Sequence, residues 1–430
     1  MAGENYHHGP EVIRLQGESG VVTDSKMAVV LLVGTAPIHV AHSVVADRAA
    51  YIQQPIIIRR RAEAIAAFGD PAEAAGYSIP EALHAAFNKD EGQGVGTYVV
   101  VNVFDPATHA TGGTPDPTRV TSADIIGGIN AGGVRTGLEL AYVCYNRFGF
   151  FPRQILAPRF DGVVGVRQKM LEVANNVKGR AIIDLTAATV QGAITARGTA
   201  QPFAIASNRV ALCFPKLLAL DPVTGGQSLQ PYSQHFAGLW NRVMASRGPQ
   251  ESPSNLPMSD VSGTEIDIAY MPGRYDTDTN LLNENGIVTT MTRYGQGIHS
   301  WGASSASWPT VKDTEAWLHG QVVLDAIDDA VLFYLLPYTD RGAILRRLSM
   351  IEERVNKYLA TKSGANDEFA WLYGGTFYFD RQKTTAESII GSGQIFWKLE
   401  RQPVGIMHRA TIQASTNLAF VESALNLVAA

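Results

Sequence analysis

Three residues could together do nucleophilic chemistry, and they occur in the order Asp184, His299, Ser304. A serine hydrolase uses such a set: the hydroxyl attacks, the imidazole takes its proton, and the carboxylate orients the imidazole. Asp184 closes the apolar run 180–185, and the carboxyl ends of strands are where open α/β sheets place their sites. A nucleophile elbow, however, needs Gly-x-Ser-x-Gly, and Gly302-Ala303-Ser304-Ser305-Ala306 lacks the second glycine. His299 and Ser304 also lie too close in sequence for separate elements to position them. The favoured reading is a non-catalytic turn of small residues beneath Trp301 and Trp308. An inactive-looking α/β hydrolase-like enzyme is the alternative.

Other candidate ligands are weaker. Gly92-x-Gly94-x-Gly96 precedes a strand instead of following one, so it does not read as a dinucleotide loop. His7 and His8 are adjacent, and neighbours on a strand point to opposite faces, which makes joint metal ligation awkward. Glu265 with Asp267, and Asp276 with Asp278, read as solvated carboxylates before they read as a calcium site. Cys144 and Cys213 are the only cysteines and have no Cys or His at metal spacing. Two buried thiols in a reducing compartment are expected. No cofactor and no metal are expected.

The elements that would hold these residues follow from length and pattern. At 430 residues the chain exceeds one ordinary core, so roughly two or three domains are expected. A net charge of −5 offers no overall basic field for nucleic acid. No run of about eighteen apolar residues exists, so no membrane insertion is expected. Residues 1–8 lack a basic stretch followed by an apolar one, so no secretory signal is expected.

Residues 26–34 form a continuous apolar run, and 98–104 form another. Both read as buried strands. Strands are also expected at 154–158, 180–185 and 210–215, with helices at 138–148, 163–178, 189–198 and 230–246 between and after them. This β-α-β rhythm argues for a largely parallel sheet with helices on its faces. A strand at 287–294 then leads to two long helices, 311–335 and 340–361, with Asp340 as candidate N-cap of the second. On that helix Ile344, Leu345, Leu348, Ile351, Val355 and Leu359 trace an apolar stripe, and Arg346, Arg347, Arg354 and Lys357 lie mostly off it.

Both termini resemble strands. Val404, Ile406, Ala410, Ile412, Ala414, Leu418 and Phe420 share one parity, broken by His408 and interrupted at Ser415-Thr416-Asn417, so one unbroken strand is not expected. Val12, Ile13 and Leu15 follow a Gly9-Pro10 break at the other end. Terminal strands either close a sheet in their own chain or add to a neighbour's.

Three segments in this order carry a resemblance. They are Tyr6-His7-His8-Gly9-Pro10-Glu11-Val12; then Asn285-Gly286-Ile287-Val288-Thr289 running through Arg293-Tyr294-Gly295-Gln296-Gly297-Ile298-His299-Ser300-Trp301-Gly302-Ala303; then the strand beginning at Pro403. Together they resemble the contractile tail sheath proteins of bacteriophages and phage-derived injection devices. Members often carry Arg followed by Thr or Ser after Trp-Gly-Ala, where this chain has Ser304-Ser305.

The resemblance implies an α/β, multi-domain fold: an outward-facing subtilisin-like β-α-β domain without its active site, plus an α+β core domain facing the tube. It divides the chain into an N-terminal linking arm (1–24), an N-terminal α/β portion (25–124), a middle domain (125–280), a C-terminal core domain (281–402) and a C-terminal linking strand and tail (403–430). Terminal strands would be exchanged between subunits through Val12, Ile13, Leu15, Val404, Ile406, Ala410 and Ile412. Arg346, Arg347, Arg354 and Lys357 are the candidate tube-facing residues. The implied partners are copies of the chain itself in a helical homopolymer of stacked hexameric rings, the tail tube protein, and the baseplate and tail terminator proteins. The implied location is the virion tail, with assembly in the host cytoplasm. A type VI secretion sheath component is the neighbouring alternative.

Overall fold

The computed structural model describes residues 21–87, 96–364, 367–418, 420, 421 and 423. Its centre is a nine-stranded sheet. In chain order the strands are β1 (Val29–Gly34), β2 (Pro55–Ile58), β3 (Thr97–Asn102), β4 (Gln154–Leu156), β5 (Arg180–Asp184), β6 (Val210–Cys213), β7 (Leu256–Pro257), β8 (Ile287–Arg293) and β9 (Gly297–Trp301). Their spatial order is β7-β9-β8-β6-β5-β4-β1-β3-β2. From β8 to β3 every neighbouring pair is parallel. The edge strands β2, β9 and β7 run antiparallel. This one sheet draws strands from the segments 25–124, 125–280 and 281–402.

The sheet's two faces divide by parity, as a period of two requires. Val30, Leu32, Val100, Ile182, Ala211 and Val288 face a core shared with helices Arg61–Phe68, Ser78–Phe87 and Tyr232–Ser246. Val29, Leu31, Val101, Ile155, Ile183 and Leu212 face a second core with helices Val164–Asn176 and Val190–Ala196. The continuous apolar runs are therefore strands buried on both faces. A small three-stranded sheet (Leu217–Leu220, Gln227–Gln230, Val261–Thr264) lies outside this stack.

A third core is built from helix Leu318–Leu335, helix Leu345–Lys362 and an antiparallel pair, β10 (Leu372–Phe379) with β11 (Trp397–Pro403). The 318–335 helix is buried on more than one side because it serves two cores. Leu318, Val322 and Ala326 pack into the sheet's first core, while Val323, Ile327, Ala330 and Val331 pack into the third. The helix begins later than the expected 311, after a 3-10 turn, Thr314–Ala316, capped by the Asp313 carboxylate. The following helix also starts late. Asp340, the expected N-cap, has φ +62°, and Gly342 follows before the helix opens at Leu345. Ile344 and Leu345, expected on the buried stripe, are exposed; Leu348, Ile351, Val355 and Leu359 are buried.

Charge joins the 318–335 helix to the sheet. Arg153, Arg180 and Arg209 stand at or just before the first residues of β4, β5 and β6. Arg180 and Arg209 both reach Asp325, the latter with two hydrogen bonds of 2.8 and 2.9 Å. Arg153 pairs with Asp329, which also accepts from Lys178 at 3.0 Å. Arg401 of β11 pairs with Asp328 at 2.6 Å. Burial raises the Asp325 carboxyl, but Arg180, Arg209 and Arg153 outweigh it and hold it below its ordinary value. Burial lowers Arg180 to about 10 despite Asp325. Removing one member of such a set strands buried charge. Asp325→Ala is therefore expected to destabilise the fold by about 3–5 kcal/mol, and the more exposed Asp328→Ala by about 1 kcal/mol or less, both read from urea unfolding.

Candidate functional site: an open sheet edge and an unpaired segment

The three residues of the hydrolase reading are not brought together. Asp184 sits at the carboxyl end of β5, and its carboxylate accepts the Ser233 N–H at 2.7 Å and the Ser233 hydroxyl at 2.5 Å. Its own N–H donates to Asp161 Oδ2 at 2.6 Å. His299 lies within β9, its Nδ1 3.1 Å from the Gly297 carbonyl oxygen. Ser304 makes an isolated bridge to Trp317. Among the described residues no hydrogen bond links any two of Asp184, His299 and Ser304. Residues 303–306 instead pack under the start of the 318–335 helix, with the Leu318 N–H on the Ala303 carbonyl and the Ser305 N–H on the Ala316 carbonyl.

The other candidate ligands are engaged or apart. Asp276 pairs with Arg274, and Asp278 accepts the Ala269 N–H at 2.9 Å. Among the described residues no three His, Cys, Asp or Glu side chains cluster as metal ligands. Cys144 and Cys213 are buried and free. His7 and His8 lie outside the described residues.

The arrangement with unused bonding capacity is the β10–β11 pair. Asn356, on the 345–362 helix, takes the Phe377 N–H on Oδ1 at 2.8 Å and donates Nδ2 to the Phe377 carbonyl at 2.7 Å. The backbone of Phe377 therefore points away from β11, and β10's outer edge is covered. In an antiparallel ladder the residue opposite also points outward. That residue is Leu399, flanked in the same phase by Trp397 and Arg401. Among the described residues nothing pairs with their outward backbone groups. The result is a two-stranded sheet with one open edge, β11.

The C-terminal segment continues directly from that edge. β11 ends at Pro403, and residues 404–412 join no strand among the described residues. The Val404 N–H donates to the Trp371 carbonyl at 3.0 Å. The His408 ring lies 4.8 Å from Trp317 and 6.5 Å from Trp308, centroid to centroid. Arg409 donates to the Tyr275 hydroxyl at 2.6 Å and covers its ring at 5.1 Å. Beyond this point Ile412 is 88% and Leu418 75% exposed. Of the residues expected in strand exchange, Val404 and Ile406 are half-buried, Ala410 and Ile412 are exposed, and Val12, Ile13 and Leu15 lie outside the described residues.

Among the expected tube-facing residues, Arg346 and Lys357 are exposed. Arg347 hydrogen-bonds to the Gly342 carbonyl, and Arg354 lies near the hydroxyls of Tyr334 and Tyr338. Sequence reasoning missed Asn356 as the cap of β10's edge, and it missed the Trp308–Trp317–His408 cluster. A lone Asn off a helix stripe gives no signal. The break that His408 makes in an apolar face was one.

The buried carboxyl pair at β5 has a consequence of its own. Burial raises Asp184 to about 6, and burial with the neighbouring Asp184 charge raises Asp161. A raised carboxyl keeps its proton in the fold after the unfolded chain has lost its own at about pH 4. Its contribution to stability is thus fully present below that pH and is lost as pH rises to about 6. Between pH 4 and 6.5, Asp184→Asn is expected to gain on the order of 2 kcal/mol relative to the unsubstituted chain, read from urea unfolding at each pH.

No protein-family model matches the chain. Curated relatives match over most of their length. It is 29% identical over 427 residues to the tail sheath protein of Burkholderia phage BcepMu, covering 82% of this chain and 86% of that one. It is 23% identical to the tail sheath protein of Escherichia phage P2, covering 95% of each. A putative prophage major tail sheath protein of Pseudomonas aeruginosa is 26% identical, with 80% of this chain and 81% of that one covered. Among solved structures, the contracted helical sheath of the anti-feeding prophage matches with TM-score 0.66 and 14% identity, covering 96% of this chain and 100% of that one. The contracted sheath complex of the PVC extracellular injection system matches with TM-score 0.62 and 15% identity, covering 97% and 100%. At these identities the structures speak to the fold, a mixed α/β architecture with several sheets. These sequence relatives, covering 80 to 95% of this chain, are all tail sheath proteins, so the chain is similar in sequence to contractile tail sheath proteins and in fold to the sheaths of contractile injection systems.

Proposed function

We propose that the chain is the repeating subunit of a contractile tail sheath, polymerising helically around a tail tube and contracting to drive that tube through a host envelope. The observation that carries this reading is the 404–418 segment: it largely alternates apolar and polar residues, pairs with no strand among the described residues, and continues directly from β11, whose outer edge is open among the described residues. Strand addition supplies many backbone hydrogen bonds, each worth about 0.5–1.5 kcal/mol net. A contact between a tail on one subunit and an edge on another is head-to-tail, and head-to-tail contacts that do not close a ring generate helical arrays. The tail and the N-terminal arm are exchanged between neighbours, giving a mesh that holds while subunits turn. The helix-and-hairpin part faces the tube, and the sheet with its flanking helices faces outward as the subtilisin-like portion. The ends of the polymer meet baseplate and terminator proteins in the virion tail, and assembly takes place in the host cytoplasm.

Negative-stain microscopy of the purified chain tests the reading directly. Striated tubes are expected; a chain that stays monomeric at every concentration overturns it. Deleting residues 1–15 should leave a folded monomer with the full chain's unfolding midpoint but no polymers, and normal polymers would refute the arm's role. Arg346→Glu with Lys357→Glu should reduce assembly on an acidic tube surface while sparing polymers formed without one, because exposed charge contacts are weak and screened by salt. Unchanged co-assembly with the tube would show that these two residues do not face it.

A further inference from the structure

The C-terminal segment leaves β11 as a strap fixed at two places. The first is the hydrogen bond of the Val404 N–H to Trp371. The second is the seat of His408 and Arg409 on Trp308, Trp317 and Tyr275. Between them the strap crosses a cleft of about 550 Å³, floored in part by Ser254, Asn283 and Trp301. At Met407 it bends, closed by the His408 N–H on the Ile406 carbonyl at 3.0 Å. Residues 407–418 are exposed, His408 and Arg409 included, so the seat is a contact on the surface of the body.

We propose that His408 and Arg409 are positioning residues: by seating on the Trp308–Trp317 pair and on Tyr275, they fix the direction and register in which residues 410 onward leave the subunit to pair with a neighbour. The inference rests on the strand-exchange reading above and adds to it the device that aims the strand. Register matters because a slip of one residue turns every side chain of an added strand to the wrong face. His408 shares its parity with Ala410, Ile412 and Ala414, so holding its ring against the body sets the face that those residues present. The same residue interrupts the apolar alternation, which is costly in a continuous strand and useful at an anchor. Two stiff aromatic rings and a Tyr–Arg contact give a seat that is specific yet small, so that residues 410–416 lie beyond it.

The test uses three full-length variants and one truncation. The bond after Arg409 is a trypsin site, and cleavage at a transiently opened segment follows the population of its open form. Losing an aromatic contact corresponds to about a 2- to 13-fold change in that population. His408→Ala is therefore expected to speed cleavage after residue 409 by about 2- to 13-fold, with the unfolding midpoint unchanged, and to give tubes whose striations lose long-range order. His408→Phe, which keeps a ring on the tryptophans, should restore both. Arg409→Lys, which keeps the trypsin site but loses the planar guanidinium over Tyr275, should also raise cleavage. A chain ending at Pro403 should form no tubes. If that truncated chain polymerises normally, the strand-exchange reading itself fails. If it does not polymerise, yet His408→Ala changes neither cleavage nor striation order, the strand is exchanged without this anchor and the proposal is wrong.

Discussion

Three arginines side by side at the starts of β4, β5 and β6 would repel one another across strands only about 4.8 Å apart. The sheet tolerates them because one helix lays Asp325 and Asp329 across their heads. The two aspartates sit four residues apart, about 6 Å along the axis, so moving one turn along the helix moves from the heads of β5 and β6 to that of β4. Neither partner is comfortable alone: an unopposed buried guanidinium or carboxylate costs several kcal/mol. The docking of helix Leu318–Leu335 is thus fixed in position and rotation, and much else follows from that. The third core exists because this helix offers it the opposite face. The hairpin is tied to the same helix through Arg401 and Asp328.

A subunit so clamped has little freedom between its sheet and its helix–hairpin part. What remains loose is the C-terminal segment, held at a backbone hydrogen bond and one aromatic seat. This division suits a polymer whose subunits must change their mutual arrangement without unfolding. The stiff joints lie within the subunit, and under the proposed exchange the compliant ones would lie in chain that passes between subunits. The Asp161–Asp184 pair, set where many α/β proteins place chemistry, is satisfied internally by Ser233 and backbone, so it reads as part of the packing at that end of the sheet.

The parallel sheet was legible because strands buried on both faces must be continuous apolar runs, and Val29–Gly34 and Thr97–Asn102 are such runs. The motif at Gly297–Ala303 was legible as a resemblance, and the missing second glycine already weakens the hydrolase reading of the same stretch. Helix starts were less legible. Asp340 is a good capping residue by type, yet it adopts φ +62°, and Gly342 delays the helix to Leu345. The arginine–aspartate clamp was invisible, since it pairs residues some 116 to 176 positions apart and nothing local marks a buried charge. The edge cap by Asn356 was hidden for the same reason. A side chain off the apolar stripe of a helix reads as solvated until a strand is placed beside it.

Asn356 also limits how a mesh can be woven. One amide occupies both the donor and the acceptor of Phe377, so among the described residues the hairpin's vacant edge is at β11. Two incoming strands, one from each kind of terminus, could not flank the hairpin on either side. The first would have to take β11's edge, and the second could pair only with the first. Where both termini are exchanged, assembly at each node acquires an order of arrival: the second strand finds a template only after the first has become one.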